Sequence, residues 1–157
     1  MHKNVLSAIL LSTISALGVL QRPVTAQARQ FYLTSATTHG ASAPFLCASG
    51  YHLASIWEIL DPTTLRYNTT LGLTRADSGS GPPTGFPGWV RTGFDAFSTT
   101  GNPAGSVNCL GYTSTAGNGT TAQLPVTTWS STGSRIAPWE VFSPPCNSNQ
   151  RAWCVQN

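Results

Sequence analysis

The sequence predicts a small disulfide-bonded α+β domain: a short helix packed on a small twisted antiparallel sheet, with long loops and two disulfides. Three observations carry that expectation. Cys47, Cys109, Cys146 and Cys154 form an even set behind an export-type leader, the pattern of an oxidised extracellular scaffold. Leu53, Ile56, Trp57 and Leu60 fall at i, i+3, i+4 and i+7, one face of a helix. From Thr63 onward, short apolar patches recur between turns rich in glycine, proline, serine and threonine, the texture of brief strands.

The leader comes first along the chain. Lys3, the uncharged apolar run Val5 to Leu20 and the small-residue end Ala26-Gln27-Ala28 read as a secretory signal over residues 1–28. The run is shorter than the roughly 20 apolar residues that cross a bilayer and is closed by Gln21, Arg22 and Pro23. Residues 29–157 then make one domain, expected to be soluble, secreted and extracellular or periplasmic. Beyond the leader no second apolar run is long enough for a membrane span.

Removing the leader also removes the only lysine. Arg29, Arg66, Arg75, Arg91, Arg135 and Arg151 stand against Glu58, Asp61, Asp77, Asp95 and Glu140, so the basic pI of the full chain comes largely from the leader. Six arginines scattered singly make no basic stripe, which argues against a nucleic-acid partner or an anionic membrane surface.

Within the domain, Phe31 to Thr34 reads as a first strand. Ser42 precedes Pro44, a pairing that suits a capped first helical turn. The helix carrying the Leu53 face is expected to stop at Asp61-Pro62, because a proline disfavours helical geometry in the residue before it. Asp77 to Pro83 is the most turn-rich stretch. Strands are expected around Gly88-Trp89-Val90, Val107 to Leu110, Leu124 to Val126, Ile136 to Val141 and Ala152 to Val155. The cysteines lack metal-knuckle spacing, since Cys146 and Cys154 are eight apart and no histidine lies near them in sequence. They are read as two disulfides, and four cysteines allow three pairings.

Cys47, Gly50 and Leu53-Ala54-Ser55-Ile56, then Gly88-Trp89-Val90-Arg91, then Cys146 and Trp153-Cys154-Val155, together resemble the landmarks of C-type lectin-like domains, in the family's order. Asn108-Cys109-Leu110-Gly111-Tyr112, Trp129 and Pro138-Trp139 are similar to the endostatin-like branch of that superfamily, found in exported bacterial proteins. The resemblance spans Phe31 to Asn157. It implies a C-type lectin-like fold with Cys47 paired to Cys154 and Cys109 to Cys146. The Glu-Pro-Asn, Gln-Pro-Asp and Trp-Asn-Asp strings of calcium-dependent sugar sites do not occur.

No cofactor is required by any motif. Calcium is the ion to consider, and it wants six to eight oxygens. Asp77, Asp95, Asn102 and Asn108 are the candidate ligands, if the loops bring them together. Trp129 and Trp139, with Glu140 and Asp77, are the candidate ligand-binding residues, since a flat apolar face with a polar edge suits a sugar. Trp57, Trp89 and Trp153 are assigned to the core.

Catalytic residues are assigned to none. His39 and His52 are the only histidines beyond the leader, Gly-x-Ser-x-Gly is absent, and Glu58 with Glu140 is the one carboxylate pair worth testing for a degenerate hydrolase. Asn68-Thr69-Thr70 and Asn118-Gly119-Thr120 satisfy the glycosylation pattern. The expected function is an extracellular binding module for a glycan or a protein surface. The alternative is a structural or adhesive component of an envelope or matrix.

Overall fold

Strand Arg151–Gln156 lies at the middle of the sheet, and its composition explains why. Ala152, Trp153, Cys154 and Val155 are all buried, so both faces of the strand are covered and the run is continuously apolar instead of alternating. The computed structural model describes residues 28–92, 108–125 and 139–157, and the elements below refer to these.

In chain order the strands are β1 (Arg29–Leu33), β2 (Tyr51–Leu53), β3 (Leu65–Tyr67), β4 (Gly88–Trp89), β5 (Thr121–Gln123), β6 (Glu140–Phe142) and β7 (Arg151–Gln156). They run in the order β3-β1-β7-β4-β5-β6, with β2 also pairing β7. Tyr32 and Leu53 both sit opposite Cys154, from β1 and β2. Pairing is antiparallel except for β1 with β3 and β4 with β7. The fold is therefore α+β, as its patterning predicts, but the sheet is mixed. Parallel partners distant in sequence leave no local turn signal that would reveal them.

The helical content is smaller than expected. Helix α1 covers only Ile56–Ile59. Leu53 belongs to β2, Trp57 is 67% exposed and Leu60 is 46% exposed. The apparent helical face was two periodicities joined end to end: a strand residue, then one helical turn. Ser55 starts that turn with a capping box, its hydroxyl accepting from Glu58 N–H while the Glu58 carboxylate accepts from Ser55 N–H. A 3₁₀ segment spans Gly40–Leu46 with Pro44 inside it, and its N-cap position is His39, not Ser42.

The core is aromatic. Trp153 stacks with Phe31 at 5.9 Å and meets Trp139 edge-on at 5.1 Å. The indole N–H groups of Trp153 and Trp89 donate to Ala122 O and Thr38 O, so both rings are buried with their polar edge satisfied. Gly88 makes this possible: a Cβ there would lie 2.5 Å from Leu33 Cδ1 and 2.8 Å from Trp153 Cδ1.

Two disulfides close the frame, Cys47 to Cys154 and Cys109 to Cys146, the pairing that the resemblance implies. The segment around Cys109 is not a strand. Cys109, Leu110, Gly111 and Tyr112 have φ of +50°, +52°, +63° and +62°, one turn of left-handed helix. Three of the four carry a Cβ, and each such residue costs about 1–2 kcal/mol in this region. The turn is held by its disulfide, by Asn108, and by the Tyr112 hydroxyl, which donates to Val90 O.

Candidate functional site

The described residues with the most polar chemistry gather where β2, α1 and the segment after β4 meet. β2 ends at Leu53, and the chain then crosses to pair with Arg91: Arg91 N–H donates to Ala54 O and Ile56 N–H to Arg91 O. This junction sets Trp57 and Arg91 in place. The Trp57 indole donates to Thr92 O at 3.0 Å, and Arg91 Nε donates to Leu53 O at 3.0 Å.

A cleft of about 290 Å³ opens beside the junction, lined by Pro44, Tyr51, His52, Leu53, Arg91 and the left-handed turn. Most of its polar side chains already have partners. Tyr51 OH donates to Gln30 Oε1 at 2.9 Å. His52 meets Asn157 Oδ1 at 2.7 Å through Nδ1 and Glu58 Oε1 at 3.0 Å through Nε2. Burial pushes the Tyr112 hydroxyl up, well above the ordinary tyrosine value, so it is a neutral donor at all working pH.

Glu58 is the electrostatic centre of this edge. Partial burial works against its charge, but Ser55 N–H, His52 and the Ser55 hydroxyl bind the carboxylate and together hold it down at about 2. Arg29 Nη2 adds a contact at 3.2 Å and also ties to Gln156 O, so the cluster links β1 and β7 to α1. The Ser55 hydroxyl donates to Glu58 at 3.0 Å and serves the cap. The Ser55 hydroxyl thus faces the Glu58 carboxylate and caps α1, while the His52 imidazole meets the same carboxylate through Nε2. His52 lies in β2.

The expected ligand-binding residues are scattered. Trp139 is buried against Trp153 and serves the core, so its ring offers no face to a ligand. Glu140 accepts from Gln123 at 2.8 Å across the β5–β6 pair. Asp77 is exposed in a turn closed by Ser78 and Arg75. Trp129, Asp95 and Asn102 lie outside the described residues. Asn108 is buried, its carboxamide accepting from Thr92 N–H at 2.9 Å and donating to Thr92 Oγ1 at 2.8 Å, which braces the left-handed turn. Among the described residues no group of three or more His, Cys, Asp or Glu side chains is placed to hold a metal ion.

Both glycosylation patterns fall on engaged side chains. Asn68 Nδ2 donates to Gln30 and Tyr51, and Asn118 Nδ2 donates to Ser143 O, with Thr120 fully buried. The helical spacing assigns Trp57 to the core, whereas the structure leaves it exposed. The signal that would have found it is Ser55-x-x-Glu58, a capping box that places Trp57 in the first turn. A scan against family models and searches of curated proteins and solved structures found no match to this chain.

Proposed function

We propose that this protein is a secreted binding module of C-type lectin-like architecture that recognises a glycan on the surface formed by α1 and the segment after β4. One observation carries the reading. Trp57 is 67% exposed, yet its indole N–H is fixed to Thr92 O. A large aromatic face held open to water at an ordered position is what stacking on a sugar ring uses, and it loses little conformational entropy on binding. The first-to-last disulfide Cys47–Cys154, the nested pair Cys109–Cys146 and the mixed sheet around β7 support the architecture. The two disulfides also fit an oxidising compartment. No helix among the described residues is long and apolar enough to cross a membrane.

A second reading, a protein surface as ligand, is favoured by Phe45, which is 83% exposed on the 3₁₀ segment. A glycan array probed with the oxidised exported chain, with calcium and again with a chelator, separates the two. Selective binding that survives chelation and falls at least tenfold in Trp57→Ala is the expected result. A folded protein that binds no glycan, or whose binding is unchanged in Trp57→Ala, removes this reading. Calcium-dependent binding insensitive to Trp57 would return attention to Asp77, Asp95 and Asn102.

A further inference from the structure

We infer that the cleft beside β2 takes a carboxylate on the recognised glycan, with Arg91 as its receptor; this rests on the glycan reading and adds the charge of the sugar. Among the residues lining the cleft, the side-chain polar groups of Tyr51, His52 and Tyr112 are committed to hydrogen bonds within the fold. Arg91 differs. It is exposed, lines the cleft, and forms no ion pair among the described residues.

A guanidinium has five N–H donors in a planar fork. Arg91 spends Nε on Leu53 O at 3.0 Å, which fixes the plane of the group and leaves the two terminal nitrogens. That end-on pair matches the two oxygens of one carboxylate, and the pre-set plane lowers the entropy lost on forming both bonds. None of the described residues lining the cleft carries a carboxylate, so no described residue of the lining competes for the site. Glu58, which His52 of the lining meets, is also engaged by Arg29 and Ser55.

The dimensions limit what can enter. A volume of about 290 Å³ lies just under the range for ligand pockets, roughly 300–1,000 Å³, which suits one terminal sugar and not a longer segment. A single fixed arginine also suits one carboxylate. A densely sulfated polyanion would call for a cluster of cations. The left-handed turn gives this corner its shape, since Gly111 and Tyr112 line the cleft directly. Backbone held in a sparsely populated conformation is common at binding sites.

The test is a glycan array carrying carboxylated glycans beside the same glycans with their carboxyl groups methyl-esterified. Binding by the oxidised exported chain confined to the acid forms, at least tenfold weaker on esterification and weakened again between low and high salt, is the expected result. Arg91→Gln should lose it and Arg91→Lys should retain a part, each shown to be folded by its thermal transition. If Arg91→Gln does not fold, the esterification and salt arms on the unaltered protein still decide. Binding indifferent to esterification overturns the inference. Neutral glycans bound through Trp57 would do so while leaving the glycan reading intact; acid-selective binding lost in Arg91→Gln but unchanged in Trp57→Ala would keep the cleft and remove the tryptophan platform. No glycan bound by folded protein ends both.

Discussion

The two disulfides sit in regions built on opposite principles. Cys154 lies in β7 with Tyr32 and Leu53 opposite it on either side, so the Cys47–Cys154 bond reinforces strands whose backbone is already at ease. Cys109 opens a left-handed turn, so the Cys109–Cys146 bond holds a backbone that would otherwise relax. The same covalent device therefore stabilises one region against unfolding and keeps the other in a conformation its side chains disfavour. The second region also lines the cleft, where a shape fixed at some energetic cost is useful for recognition.

The largest expected effect tests that contrast directly. The bonds span 107 and 37 residues, which loop-closure entropy values at about 4–5 and about 4 kcal/mol. The left-handed backbone holds about 3–6 kcal/mol; replacing Cys109 and Cys146 releases only a fraction of it, because Asn108 and the Tyr112 hydroxyl still hold the turn, and that fraction offsets part of the loss. Urea unfolding of Cys47→Ala/Cys154→Ala should therefore show much the larger loss, with Cys109→Ala/Cys146→Ala losing less than its loop length implies. Equal losses would mean that the turn stores nothing.

Packing gives the next effect. Gly88→Ala in β4 drives a methyl into Leu33 and Trp153, both fully buried, and should cost about 2–3 kcal/mol in a thermal or urea transition. Gly119→Ala meets Cys109 Sγ at 2.5 Å and Trp89 Cζ3 at 2.7 Å, and should cost a similar amount. The contrast between the regions is one of backbone, not of packing density. A tolerated Gly119→Ala would show the turn region to be looser than the sheet.

How much of this was legible follows from how local each signal is. β1 and β7 stand out because their apolar runs are dense and need no partner to be seen. Trp89 and Trp153 were placed in the core for the same reason. The spacing from Leu53 to Leu60 predicts a longer helix than exists because a strand end and a single helical turn add up to helical spacing. The left-handed turn leaves almost no trace: only Gly111 announces a positive φ, while Cys109, Leu110 and Tyr112 are held in theirs by contacts with residues distant in sequence, the Cys146 disulfide, the Val90 carbonyl and the Thr92 that Asn108 binds. Arg91 looked like one of several scattered cations until Leu53 O fixed it at a cleft.

Glu58 offers a smaller, pH-dependent effect confined to the sheet side. Its carboxyl is held at about 2 against an ordinary value of 4.5. A lowered value stabilises the fold fully above about pH 4.5, and that contribution is lost as the pH falls through about 2. Allowing for solvent at this partly exposed site, the amount is about 1–2 kcal/mol. Glu58→Gln should lose it at neutral pH, and the gap between variant and parent should close on acidification in pH-resolved urea transitions. A gap that stays constant would mean that the capping geometry, not the charge, is what Glu58 contributes.

The smallest effect is the sharpest test of the difference in backbone. In an ordinary helical turn, glycine is about 1 kcal/mol worse than alanine, so at Trp57 in α1 the Gly variant should be less stable than the Ala variant. At Leu110 the order should invert. Both Leu110→Gly and Leu110→Ala lose the same half-buried side chain, which cancels in the comparison, but alanine keeps a Cβ at φ +52° and bears the left-handed penalty. Glycine escapes it, at the expense of a freer unfolded chain. The net expectation is Leu110→Gly more stable than Leu110→Ala by about 0.5–1 kcal/mol, read from paired urea transitions. An alanine variant as stable as the glycine one would mean that this turn relaxes to right-handed backbone once the leucine is gone. Its conformation would then belong to the side chain and not to the disulfide and the Asn108 brace.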